Sequence, residues 1–172
     1  ATALSELGCT VDDLSAHLSI DCGDSPTSIA EASFYQEQWR QVLGIEVAVN
    51  SMITKQGSQN RKTGNYVMSI TGWGPDYNDP NTFLDMWVTD GGNNQTGFSN
   101  ERYDELIDLA AKETDLEKRE SYFIECEQII ADQLPIGPSF WRAPSYACSD
   151  KIKGGMHRST FQDINAVYVK LS

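Results

Sequence analysis

The sequence predicts an α/β fold: a mixed, mostly parallel sheet flanked by helices, in a single domain over residues 1–172. Three observations carry that expectation. Short runs that alternate apolar and polar residues, at Leu18–Ile20, Ile45–Val49 and Tyr66–Thr71, are separated by segments with helical periodicity. A helix closed by Gly44 lies between the first two runs and returns the chain at once, which favours parallel strands and a crossover. Further on, Tyr103, Leu106, Ile107, Ala110 and Ala111 fall at i, i+3, i+4, i+7 and i+8, an apolar helical stripe.

Taken in order, Ala1 to Leu7 reads as the tail of a helix stopped by Gly8, and the residues after it as loop. Leu18-Ser19-Ile20 is a short strand. Ser25 and Pro26 supply an N-cap and a first-turn proline, and the helix they open directs Ile29, Ala32, Phe34, Trp39, Val42 and Leu43 to packing, with Gly44 at the left-handed cap. Ile45–Val49 is the second strand, residues 54–62 a short surface helix turned by Gly64, and Tyr66–Thr71 the third strand. A short helix is expected over Thr82–Trp87, with Trp87 as packing. Residues 89–97 look like an exposed mobile loop, and Asn94-Gln95-Thr96 within it matches the N-glycosylation acceptor pattern. Asn100 caps the striped helix. Thr114-x-x-Glu117 has the form of a capping box for a helix that runs to about Leu134 and ends at Pro135. Strands are expected near Ile136–Trp141, Tyr146–Cys148 and Ala166–Leu171.

Composition narrows the function. With 40% hydrophobic and 22% charged residues the chain is an ordinary globular one, and no run approaches the roughly 18 apolar residues of a membrane span. A net charge of −12 argues against nucleic acid, whose phosphates require Lys and Arg, and suits cationic ligands. No start Met, basic leader or signal-type apolar segment is visible, which suggests removal of such a segment or a piece of a longer chain. Cys9, Cys22, Cys126 and Cys148 allow three pairings; Cys9–Cys22 with Cys126–Cys148 needs the least chain travel, the alternative being free thiols used as small buried residues. No CxxC motif occurs, and His17 and His157 are isolated, so neither a zinc site nor a cofactor is expected. Without a G-x-S-x-G, HExxH or P-loop pattern, no catalytic residue is assigned and the chain is not expected to be an enzyme.

The richest segment is Gly72-Trp73-Gly74-Pro75-Asp76-Tyr77-Asn78-Asp79-Pro80. Its glycines and prolines prevent regular structure, so the third strand ends in a loop bearing a Trp, a Tyr and two carboxylates. Trp73 and Tyr77 are candidate walls of a pocket, although a Trp after a strand is also a common core-edge residue. Asp76 is the candidate anchor for a ligand ammonium; the same residue type also serves as a helix cap or an Asx turn, and spacing leaves both open. Asp79, before Pro80, reads as a turn or cap residue.

These motifs, together with Leu43-Gly44-Ile45-Glu46-Val47, Gly64-Asn65-Tyr66, Phe98-Ser99-Asn100-x-x-Tyr103-Asp104-x-Leu106-Ile107, Arg119 and Gln133-Leu134-Pro135, resemble the C-terminal lobe of the family 5 extracellular solute-binding proteins, the oligopeptide- and dipeptide-binding components of ABC importers. The resemblance covers essentially the whole chain. It implies a type II periplasmic-binding-protein fold whose two lobes close over the ligand. It implies that Asp76 pairs with a peptide's α-ammonium and that Trp73 lies in the cleft, with Tyr77 beside them. One peptide-binding relative has a cysteine where this chain has Gly74, so that relative's cross-link is absent. The implied partners are a peptide ligand, the permease subunits and a missing N-terminal lobe. The implied location is the periplasm or the outer face of the membrane, with a possible lipid anchor on a missing N-terminal Cys. Two alternatives stand beside this reading: the same fold with another cargo, since oligosaccharides, nickel chelates, haem and opines occur in the family, or a receptor- or chaperone-like interaction lobe without a small ligand. A lobe carrying half a cleft is expected to fold alone and to bind peptide weakly or not at all.

Overall fold

A computed structural model describes residues 2–141, 147–154, 157–158, 164–165 and 169–171. Its residues group into two compact units, Ala1–Gly72 and Trp73–Ser172.

The first unit is built on a three-stranded parallel sheet in the order β2-β1-β3, formed by β1 (Ser19–Gly23), β2 (Ala48–Met52) and β3 (Met68–Ser69). The register pairs Ser19 with Ala48 through Gly23 with Met52 on one side, and Ile20 with Met68 and Asp21 with Ser69 on the other. Two short helices precede the sheet: α1 (Thr2–Leu7) and α2 (Val11–Ser15). The second was expected to be loop. Its signal is Thr10-x-x-Asp13, a reciprocal capping box in which Thr10 Oγ1 accepts from Asp13 N and Asp13 Oδ2 accepts from Thr10 N.

Helix α3 (Pro26–Leu43) starts and stops where its caps require: Ser25 Oγ accepts from Ser28 N at 3.2 Å, and Gly44 takes the left-handed conformation at φ +70°. It covers the sheet face that carries Ile20 and Cys22, packing Ala32 and Trp39 against them and Val47. Phe34, Val42 and Leu43, expected to pack, are exposed, because the sheet occupies only one side of the helix. β2 begins three residues later than the alternation suggests. Residues 45–47 are still crossing from the helix cap: Ile45 N bonds Trp39 O, and Val47 O accepts from Gln36 Nε2 at 2.6 Å rather than from a strand. β3 is correspondingly shorter than Tyr66–Thr71, with Ile70 N adding one more bond to Asp21 O.

Alternation puts Asp21 on the opposite face from Ile20, where helix α4 (Thr54–Thr63) supplies partners. Asp21 is 5% exposed and accepts from Asn50 Nδ2 at 3.1 Å and Asn60 Nδ2 at 3.3 Å, which compensates its buried oxygens.

In the second unit, α5 (Asn81–Leu84) runs into a 3-10 turn, Asp85–Trp87, and helices α6 (Glu101–Lys112) and α7 (Leu116–Gln133) follow. The core joins Leu84 to Tyr103, Leu106, Ile107 and Ala110 of α6 and to Phe123, Cys126 and Ile130 of α7. Tyr103 is fully buried and donates its hydroxyl to Leu84 O at 2.7 Å, so burial leaves no polar atom unmatched there. Trp87 packs at the edge of this core and donates Nε1–H to Phe83 O. Asn100 caps α6 through Tyr103 N, as expected. The cap of α7 is Asp115, which accepts from Lys118 N, rather than Thr114, whose own N–H is taken by Glu113.

Residues 89–97 form the expected irregular loop, with Asp90, Gly92, Asn93, Thr96 and Gly97 exposed, but Asn94 ties it to its neighbours. Asn94 Nδ2 donates to the carbonyls of Trp87, Val88 and Phe98, at 3.3, 3.0 and 2.7 Å, and its Oδ1 accepts from Thr96. The nitrogen of the acceptor pattern is thus engaged inside the fold. Residues 136–141 carry no strand; Pro135 and Pro138 lack N–H donors and Gly137 gives no side chain to pack. Residues 147–149 are not strand either, and Tyr146 lies outside the described residues. Of the expected last strand, Lys170–Leu171 (β7) pairs antiparallel with β4 (Ile152–Lys153), while residues 166–168 lie outside the described ones. β5 (His157–Arg158) and β6 (Ile164–Asn165) make a second antiparallel pair. The antiparallel strands form ladders of their own, and the main sheet is wholly parallel.

Cys9, Cys22 and Cys126 are free thiols. Cys22 is buried on β1 and Cys126 is fully buried between α6 and α7, whereas Cys9 is half-buried and Cys148 exposed. The two buried residues serve as small apolar core groups, and burial raises both thiols, Cys126 to about 11.

Candidate functional site

The second unit opens with the loop Trp73–Pro80. Packing does little to hold it: space around Gly74 is open, and Trp73, Asp76 and Tyr77 are all exposed, the two rings at 40% and 41%. Polar bonds fix it instead. Asp76 N donates to Oγ1 of the buried Thr82 at 3.0 Å, and Asp79 N bonds Tyr77 O. Asp79 Oδ1 accepts from Asn81 N at 2.9 Å, an Asx turn that starts α5. Asp79 is therefore the turn residue its place before Pro80 suggests.

Asp79 does more than the sequence shows. Arg119 of α7 grips it with two parallel bonds, Nη1 to Oδ2 at 2.6 Å and Nη2 to Oδ1 at 2.9 Å. The third Arg119 nitrogen, Nε, donates to Ala110 O, and its guanidinium lies 4.6 Å from the centre of the Phe123 ring. The bonds from Arg119 hold the Asp79 carboxyl below its ordinary value.

Tyr77 belongs to a second set of contacts. Its hydroxyl donates to Asp85 Oδ2 at 3.1 Å and accepts from Asn81 Nδ2 at 2.9 Å, and the same nitrogen donates to Asp85 Oδ2. Partial burial is the largest cause raising the phenol above its usual value. Asn81 Oδ1 is left buried with no partner among the described residues, since its amide must turn its nitrogen to Tyr77 and Asp85.

Asp76 differs from both. Its carboxylate takes no hydrogen bond or ion pair among the described residues. The three expected site residues, Trp73, Asp76 and Tyr77, thus share one exposed stretch: two partly uncovered rings and one unpaired anion. That arrangement has the chemistry to hold a cation beside an apolar body. Thr82, Asn81, Asp85 and Arg119 support it and were not assigned roles by sequence reasoning. The i, i+4 spacing of Asn81 and Asp85 on a short helix was a readable signal for one pair. Nothing local marks Arg119 as the partner of Asp79. No group of His, Cys, Asp or Glu able to hold a metal is present among the described residues, and no helix among them is long and apolar enough to cross a membrane.

The sequence profile of the bacterial extracellular solute-binding proteins, family 5, matches residues 4–95, which include the whole loop. The chain belongs to this family. Family 5 proteins bind solutes and are not enzymes. It is 32% identical to the oligopeptide-binding protein OppA of Bacillus subtilis over 143 residues, which are 80% of this chain and 25% of the relative. It is 31% identical to a dipeptide-binding protein of Lactococcus lactis over 176 aligned positions, 99% of this chain and 32% of the relative. Among solved structures, Listeria monocytogenes OppA bound to peptide superimposes with a TM-score of 0.82 at 29% identity, over 99% of this chain and 32% of that one. The α/β fold with a helix-flanked parallel sheet is thus that of the OppA-type periplasmic binding proteins. The chain spans about a quarter to a third of the length of these relatives, at 25% and 32%.

Proposed function

We propose that this chain is the C-terminal, ligand-contacting lobe of the substrate-capturing subunit of an ABC importer. Its cargo is an oligopeptide or dipeptide, taken up in a cleft and handed to the membrane permease from the periplasm or the outer face of the membrane. The Asp76 carboxylate receives the peptide's α-ammonium, and Trp73 and Tyr77 provide apolar walls for the residues that follow. One observation carries this reading. Of the two carboxylates in the loop, Asp79 performs the turn and ion-pair work, leaving Asp76 exposed and unpaired among the described residues. The peptide-binding relatives support the class of cargo.

A hydrogen bond to a charged group contributes about 1.5–3 kcal/mol, or roughly 10- to 100-fold in affinity. Calorimetry on the protein carrying this chain, with tri-alanine and its N-acetylated form, reads that contact directly. The wild type is expected to prefer the free amine by at least about 10-fold, and Asp76→Ala to remove most of the preference. An Asp76→Ala variant that keeps the wild-type preference overturns the assignment.

A further inference from the structure

We infer that Arg119 is a positioning residue for the ammonium site: acting through Asp79, and without touching the ligand, it sets the selectivity of the loop for a cationic end. The inference rests on the reading of Asp76 as the ammonium contact.

The loop between Trp73 and Pro80 is held by few bonds, and all but one set are local. Asp76 N reaches Thr82, Asp79 Oδ1 reaches Asn81, and Tyr77 reaches Asn81 and Asp85. Only the Asp79–Arg119 pair, 40 residues apart, fastens this loop by hydrogen bonds to a different helix among the described residues. Arg119 is itself immobilised. All three of its nitrogens are used, its Nε on Ala110 O, and its plane faces Phe123, which is 5% exposed and part of the core. The pair is also sheltered, with side chains 23% and 28% exposed, so solvent weakens it less than a surface ion pair. A fixed core thereby transmits its position to Asp79, and through the turn at Asp79 to Asp76, three residues earlier. A pre-positioned carboxylate does not have to be ordered when the ligand arrives.

The second consequence is electrostatic. Asp76 and Asp79 are close in sequence and chemically identical. With Arg119 neutralising Asp79, the loop offers a ligand a single unpaired carboxylate. Without Arg119, the turn that orients Asp76 loses its outer support and Asp76 is no longer held in place to receive the ammonium.

A purely structural role for the pair lowers the melting temperature and leaves ligand selectivity untouched, so the readout is selectivity. The affinity ratio for tri-alanine over N-acetyl-tri-alanine is measured in the protein carrying this chain, for wild type, Arg119→Gln, Asp79→Asn, the double variant, Arg119→Lys and Asp76→Ala, each checked for folding by thermal melting. Arg119→Gln and Asp79→Asn are each expected to lower the ratio by about 5-fold or more, and the double variant to be no worse than the worse single one. Arg119→Lys keeps the charge but cannot form the two parallel bonds, and is expected to recover only part of the ratio. If Asp76→Ala abolishes the ratio while Arg119→Gln and Asp79→Asn keep it, the positioning role is overturned and the ammonium reading stands. If Asp76→Ala keeps it, both fall together. Should Arg119→Gln not fold, the near-isosteric Asp79→Asn, which leaves Arg119 on Ala110 and Phe123, decides alone.

Discussion

Asp76 and Asp79 show how one residue type, placed twice in a loop, meets two different surroundings. Asp79 accepts from Asn81 N and from both terminal nitrogens of Arg119, and its carboxyl is held below the ordinary value of 3.8 mainly by Arg119. A carboxyl with a depressed folded-state pKa contributes stability that is present above its unfolded pKa and is lost as pH falls through the folded one. Asp79→Asn is therefore expected to cost about 1–2 kcal/mol at neutral pH. The gap to wild type should begin to close as pH drops below 3.8. Thermal melts of both proteins between neutral pH and about pH 2 check this; a gap that does not narrow in acid contradicts it. The Asp76 carboxylate, with no partner among the described residues, has no comparable part in stability, and its substitution is expected to be read in binding alone.

At the scale of elements, local chemistry was legible and distant chemistry was not. Ser25 and Asn100 as N-caps, and Gly44 and Gly64 at left-handed caps, are where sequence places them, because each acts within three or four residues of itself. The loop at 89–97 is legible as a loop, but the Asn94 contacts that anchor it are not. Gly91, Gly92, Asn93 and Asn94 have the composition of a mobile turn, yet the Asn94 amide ties the carbonyls of Trp87 and Val88 to that of Phe98. Removing it takes that donor from the Trp87 and Phe98 carbonyls, while Val88 O keeps Gly91 N, so Asn94→Ala is expected to destabilise by about 1–3 kcal/mol, measured by urea unfolding. Asn94→Asp turns oxygens toward the same carbonyls and should cost at least as much. The β2 shift is of the same kind. Ile45 and Val47 alternate as a strand does, but their backbone groups bond to Trp39 and Gln36 of the preceding helix.

Over the length of this chain the decisive quantity is charge: 13 basic against 25 acidic residues, a net −12. A strongly negative surface draws cationic ligands and repels anionic ones until salt screens it, the screening length falling from about 30 Å at 0.01 M to about 8 Å at 0.15 M. Across that range the association rate of a lysine-containing peptide should fall about 3-fold or more, and that of a glutamate-containing peptide should rise or stay level. Stopped-flow fluorescence measures both, and a lysine peptide indifferent to salt contradicts the steering. By itself the sequence determined the α/β class, the family, most helix boundaries and the stretch that carries Trp73, Asp76 and Tyr77, because periodicity, caps and turn residues act over a few positions. Only the tertiary structure decided which carboxylate of that stretch pairs with Arg119 and how buried Asp21 is satisfied. Those outcomes depend on Arg119, Asn50 and Asn60, which stand 40, 29 and 39 residues from their partners and meet them only once the chain has folded.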